Sequence, residues 1–297
     1  MKKLNFIIKY GLALLLLSFY SCESWLNVTP SDRLSEEMLF NDREGFVKAL
    51  NGVYIELNTN ELYGRNLTAG ALDVMGQYYS VASSSHAFYN YGGLVYTGND
   101  EKALFDNMWQ KCYAVIACCN TIIEKCDENK AGLSPVWKGS IKGEALALRA
   151  MLHFDMLRLF GPLTSELDKE SIPYQTNSDQ TVTPLLSGSE VIGLILDDLK
   201  NAVGLLKDTD PYFVEEEFSD TDLNYRRFRM NYFAAKGLMA RVQLWGGDKE
   251  KAAITAKEVI AEGQAEGAEF FPFVTNSEAT SSNPDRVFYS EVLFGTY

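Results

Sequence analysis

Residues 141–163 read IKGEALALRAMLHFDMLRLFGPL, and the fold turns on this stretch. It is a run of good helix formers, roughly five turns long, stopped by Gly161-Pro162. Ala145, Leu148, Leu152, Met156 and Leu159 make one apolar stripe at 3/4 spacing. Ala147, Ala150, Met151, Phe154 and Leu157 make a second on a different side. A surface helix needs one stripe, so two stripes imply neighbours on both sides. The alanines at 145, 147 and 150 would let those neighbours come close. Glu144, Arg149, Asp155 and Arg158 fall between the stripes and read as solvated or paired framework residues. Asp155 and Arg158, at i,i+3, can pair along one face.

Working outward, helical spacing recurs along most of the chain. Asn41-Asp42 caps a helix carrying Phe46, Val47, Leu50, Val53, Tyr54 and Leu57. Further helices are expected over 101–129, 136–160, 189–207, 229–245 and 248–262. The last two are split by Gly246-Gly247. Ala240, Gly247-Asp248, Ala252 and Ala256 match the spacing of a tetratricopeptide repeat: a small residue in the first helix, a turn, and A-x-x-x-A in the second. Segments 105–128 and 136–160 read as another such pair. The fold class is therefore all-α dominated, with tetratricopeptide-like helical repeats and long irregular loops. One loop runs from Gly161 to Gly188, an acidic one from Asp208 to Tyr225, and residues 286–297 read as a strand or buried segment.

The chain opens with Met1-Lys2-Lys3, a short apolar run through Leu12–Leu17, and Ser21-Cys22, which is the layout of a secretory signal. The run is too short for a spanning helix. Residues 1–21 read as a lipoprotein signal peptide, with Cys22 the lipid-bearing residue and 22–40 a tether; ordinary cleavage, with Cys22 incidental, is the alternative. Cleavage removes Lys2, Lys3 and Lys9 and no acid, leaving 24 basic and 40 acidic residues, a net charge of −16. That argues against nucleic acid and against an anionic lipid surface as partners.

Cys112, Cys119 and Cys126 repeat at i+7, about 10 Å apart per step, too far to bridge or share a metal. With Cys118 they read as small buried residues. Two histidines, His86 and His153, leave little material for a metal site or a triad, and no cofactor is expected. The stretch Asp73–Asn99 differs in kind: it sets tyrosines among Gly, Ser and Asn with no sustained period, and reads as a long aromatic loop. Trp109, on a helix at core spacing, reads as core.

Taken in order, these pieces resemble the SusD/RagB family of outer-membrane nutrient-binding lipoproteins. The resemblance rests on Cys22, on helix 44–57 with Gly52-Val53-Tyr54, and on Trp109, Tyr113 and Asn120-Thr121-Ile122-Ile123. It rests further on Glu144 through Ala150, Phe160-Gly161-Pro162-Leu163, Ile172-Pro173, Ala240-Arg241-Val242 and Gly247-Asp248 with Ala252. His153 and Leu163 depart from the family, which commonly has tyrosine and a valine-proline pair there. Family members usually run on well beyond the length of this chain, so 41–297 is expected to be an incomplete helical-repeat domain.

The resemblance implies a lipid-anchored, surface-exposed protein that captures oligosaccharide and passes it to a TonB-dependent, SusC-like transporter, without catalysis. A sugar presents apolar C–H faces ringed by hydroxyls, so its site needs exposed rings with hydrogen-bonding neighbours. Tyr78, Tyr79, Tyr89 and Tyr91, with Asp73, Gln77, Asn90 and Asn99, supply that composition; the competing reading is that these rings pack the loop onto the helices. Two other functions stay open: a helical scaffold for a peptide or protein, and a lipid-anchored glycosidase, which would need a facing carboxylate pair.

Overall fold

The computed structural model describes residues 36–296 except 180, 220, 221, 223 and 265–269. The leader 1–21, Cys22 and most of the tether lie outside the described residues. The chain divides into a unit up to Leu39, of which helix α1 (Glu36–Leu39) is described, and a unit from Phe40 onward.

In the larger unit, α2 (Arg43–Leu57) starts where Asp42 accepts the Gly45 amide at 2.8 Å. Two short turns follow, α3 (Ala71–Met75) and α4 (Tyr89–Gly92). Then come the long helices α5 (Asn99–Glu128) and α6 (Pro135–Phe160). Loop 161–188 is not wholly irregular: β1 (Glu170–Pro173) and β2 (Leu185–Ser187) form an antiparallel hairpin, pairing Glu170 with Ser187 and Pro173 with Leu185. Helix α7 (Gly188–Thr209) opens on a capping box made by Ser187 and Glu190. Helices α8 (Tyr232–Trp245) and α9 (Lys249–Gly263) form the last repeat-like pair, and α10 (Asn276–Ala279) is a single turn.

The core is built on α6, the two-striped helix. From Gly139 to Leu157 only Lys142 and Asp155 escape burial, and the helix packs against α2, α5, α7, α8 and β1. The tightest approach comes from glycines. A Cβ on Gly139 would stand 2.5 Å from Thr209 Cγ2, and one on Gly143 2.7 Å from Leu206 Cγ, so these two positions let α7 close onto α6. At the α8–α9 turn, Gly247 takes φ +92°, and Asp248 caps α9 by accepting the Lys251 amide at 3.0 Å. Ala240 and Ala252 are buried on either side of that turn.

Of the two readings open for Glu144 and Arg149, solvated or paired framework, the structure shows the second: both are buried and ion-paired. Two sequence expectations need correction. Cys112, Cys119 and Cys126 are buried as expected, but Cys118, one residue off their helical face, is exposed. Residues 286–296 form no strand; they make a 3₁₀ turn at Tyr289–Glu291 and a half-buried coil, held where Asn231 Nδ2 donates to the Leu293 carbonyl at 2.7 Å. No helix among the described residues is long and apolar enough to cross a membrane.

Candidate functional site

Two polar networks lock α6 in place. In the first, Arg149 clamps Asp198 of α7 through two 2.7 Å hydrogen bonds and donates to Asn120 of α5 at 2.8 Å. The Tyr174 hydroxyl donates to the same Asp198 at 2.6 Å, and its ring stacks on His153 at 3.9 Å. His153 accepts the Gln175 amide on Nε2, so the proton is on Nδ1, which donates to the Arg149 carbonyl. Burial drives the His153 pKa down to about 3, and its imidazole is neutral in the fold.

In the second network, Arg226 donates to Asp210 at 2.7 and 3.0 Å and also to Glu144. Glu144 further accepts from the Tyr54 hydroxyl at 2.6 Å and from Arg229 at 3.1 Å. Burial pushes the Glu144 carboxyl up, but Arg226 and Arg229 outweigh it and hold the pKa below the usual range. These buried acids are fully engaged as framework.

The segment between α2 and α5 is arranged in the opposite sense. After α3 the chain reverses at Gln77, which takes φ +62° so that the Tyr78 amide bonds back to the Asp73 carbonyl at 3.0 Å. After α4 Leu94 does the same at φ +55°, and the Val95 amide reaches the Asn90 carbonyl at 2.9 Å. The Gln77 side chain ties the two turns together by donating to the Gly92 carbonyl at 3.0 Å. Asn90 donates to the buried Glu101 at 2.7 Å, fastening α4 to the first turn of α5.

An internal string of rings pins this segment down. Tyr91 meets Phe88, Tyr96 and Phe105 edge-on or tilted at 5.8–6.3 Å. Phe105 contacts Phe160 at the end of α6, and Phe160 contacts Trp109, which in turn meets Tyr113 at 4.7 Å. Trp109 is half-buried within this string. Tyr91 is only 2% exposed, and burial, with Glu101 and Asp100 nearby, raises its hydroxyl to about 12. It is an anchor of the loop and is unavailable as a platform.

The other three tyrosines point outward. Tyr78 is 80% exposed, Tyr79 52% and Tyr89 42%. Asp73 is half-buried on α3, while Gln77, Asn90 and Asn99 are exposed. The structure brings residues 73–79 together with 89–92, and Asn99 opens α5, whose first turn is tied to 90–91 through Asp100 and Glu101. Leu94 and Val95 are exposed in the same segment and add apolar surface that composition alone had not singled out. The arrangement is a set of solvent-facing rings with amide groups beside them, on a support fixed by packing. Among the described residues no cluster of His, Cys, Asp and Glu is placed to hold a metal ion.

Comparison with known proteins agrees with this architecture. A SusD-like family model, described as starch-binding and associating with the outer membrane, matches residues 24–244, and the chain belongs to that family. SusD-like protein P2 of Formosa agariphila is 26% identical over 265 residues, covering 87% of this chain and 46% of that protein. A SusD-like carbohydrate binding protein from Bacteroides vulgatus superposes with a TM-score of 0.62 at 23% identity, over 80% of this chain and 47% of that one. A laminarin binding SusD-like protein gives a TM-score of 0.60 at 17% identity, over 80% and 48%. At these identities the structures attest the fold. The chain spans somewhat under half the length of the curated relatives it matches.

Proposed function

We propose that the protein captures glycan without catalysis, using the face formed by Tyr78, Tyr79 and Tyr89 with Gln77 and Asn90. The observation that carries this reading is the split among the loop's tyrosines. Tyr91 is buried to fix the backbone, while three others are held in solvent where an isolated ring gains nothing from folding. A rigid support makes ring stacking on a sugar cheap in conformational entropy. The family's description as starch-binding, and the laminarin binding neighbour, support a polysaccharide as ligand.

Lipidation at Cys22, anchoring at the outer membrane and hand-over to a TonB-dependent, SusC-like transporter complete the reading. A carrier of this kind would hold glycan at the cell surface and pass it inward. Glycoside hydrolysis fits poorly, since the buried acids Glu144, Asp198, Asp210 and Glu101 are each committed to partners within the fold. Migration of the protein through native gels containing starch, laminarin, pectin or host glycans tests the proposal. Retardation by one polysaccharide, abolished in Tyr78→Ala/Tyr79→Ala, is expected. Undiminished retardation of the folded double variant would rule the face out.

A further inference from the structure

A cavity of about 180 Å³ lies between α2, α6 and the residues Pro211, Phe218, Asp222, Tyr225, Arg226 and Arg229, and none of the tyrosine-face residues lines it. One side of α6 lines it at helical spacing, with Trp137, Ser140, Ile141 and Glu144; Val47, Leu50 and Asn51 of α2 face them, and Phe218 and Tyr225 complete the wall. Its size corresponds to about six waters. That space suits one six-membered sugar ring.

The polar lining has spare capacity. The indole Nε1 of Trp137 is buried and has no acceptor among the described residues. The Ser140 hydroxyl belongs to a buried residue on the same side of α6. Arg229 spends Nε on Glu144 and Nη1 on Asn51, and among the described residues neither its Nη2 nor the amide nitrogen of the exposed Asn51 has a hydrogen-bond partner. A buried N–H with no partner is costly, and a ligand oxygen would satisfy it.

Charge fixes the ligand class. Arg226 and Arg229 at the cavity are matched by Glu144 and Asp210 through direct ion pairs, and the lining Asp222 is offset in formal charge by Arg43, whose guanidinium lies 4.7 Å over the Trp137 ring. No net charge remains to attract an anion or a cation. The apolar wall of Trp137, Phe218 and Tyr225, with Trp137 and Phe218 ring centroids 4.5 Å apart, suits C–H faces. We propose that this cavity is a second ligand site, which binds a single neutral monosaccharide unit through the Trp137 N–H, Ser140, Asn51 and Arg229.

The site is independent of the tyrosine face, and the test separates the two. The protein has four tryptophans, so the ¹⁵N-labelled protein gives few indole N–H resonances, and Trp137→Phe identifies the one that matters. Glucose, galactose, mannose and glucuronate are each titrated. The Trp137 resonance should move downfield and saturate with at least one neutral hexose, and glucuronate should be at least tenfold weaker. Ser140→Val and the rim variant Asn51→Leu should each weaken that binding about tenfold or more, while Tyr78→Ala/Tyr79→Ala leaves it intact. Failure of every neutral hexose to move the resonance saturably would overturn the proposal, as would equal binding of glucuronate. Unchanged hexose affinity in folded Asn51→Leu and Ser140→Val would also overturn it.

Discussion

The surroundings of α6 and the segment between α2 and α5 make opposite use of residues that belong, by type, on the other side of the boundary. Around α6, Glu144, Arg149, Asp198, Asp210 and Arg226 are charged and buried. In the segment, Tyr78, Tyr79 and Tyr89 are aromatic and exposed. The buried charges are stable there because each arrives with its partners already aimed: Arg149 meets Asp198 with both arms, and Arg226 bridges Asp210 and Glu144. The exposed rings have no such partners within the fold. Departure from the usual burial rule therefore means framework in one region and, on the proposed function, recognition in the other. What separates the two cases is whether the local partners are complete.

That contrast can be broken most forcefully at Arg226. Arg226→Ala would leave Asp210 and Glu144 buried without their cation, and a loss of ~3–5 kcal/mol in unfolding free energy is expected by denaturant titration. Replacing the anchoring ring, Tyr91→Ala, should cost about 3 kcal/mol and loosen 73–98, visible as faster amide exchange in that segment.

The neutral imidazole of His153 gives a pH signature. An unfolded histidine takes up a proton near pH 6.5, whereas the folded one resists down to about 3. Stability is then complete above pH 6.5 and falls as pH drops through that window, by at most about 5 kcal/mol. His153→Gln should flatten this slope in thermal melts between pH 7 and 4, leaving the residual contributed by Glu144. A slope unchanged by the substitution would mean that His153 is not held neutral.

A smaller effect is expected at the helix contact. Gly139→Ala sets a methyl against Thr209 and should cost ~1–3 kcal/mol, and pairing it with Thr209→Ser should recover part of that. Smallest of all, Tyr78→Ala should change stability by no more than ~0.5 kcal/mol.

Much of the architecture is legible from periodicity. The two stripes on 141–160 announce a helix packed on several sides, and Asp42, Gly247 and Asp248 mark boundaries that the structure reproduces at their caps. Pairing across long separations is not legible. Glu144 and Arg149 looked like framework residues of the solvated or paired kind, and only the fold brings Arg226, 82 residues on, and Asp198, 49 residues on, against them.

The same limit applies to the tyrosines. A segment without a period of 2 or 3.6 has no predictable face, so Tyr91 could not be told from Tyr89, two positions away. The left-handed turns at Gln77 and Leu94 decide which rings face outward, and neither residue is the glycine that such turns usually advertise. The hairpin in 161–188 leaves little trace in the sequence because its strands are four and three residues long and one of them ends in Pro173. The glycines at 139 and 143 control the α6–α7 contact, and nothing in helical periodicity separates them from the alanines nearby.

Glycan capture by the tyrosine face is tested most directly by one paired measurement: polysaccharide retardation and thermal stability of Tyr78→Ala/Tyr79→Ala beside the parent protein. Retardation is expected to be lost, by at least tenfold in affinity or about 1.4 kcal/mol, with the melting temperature unchanged. A double variant that binds as before, or one that loses binding only because it melts at markedly lower temperature, would contradict it.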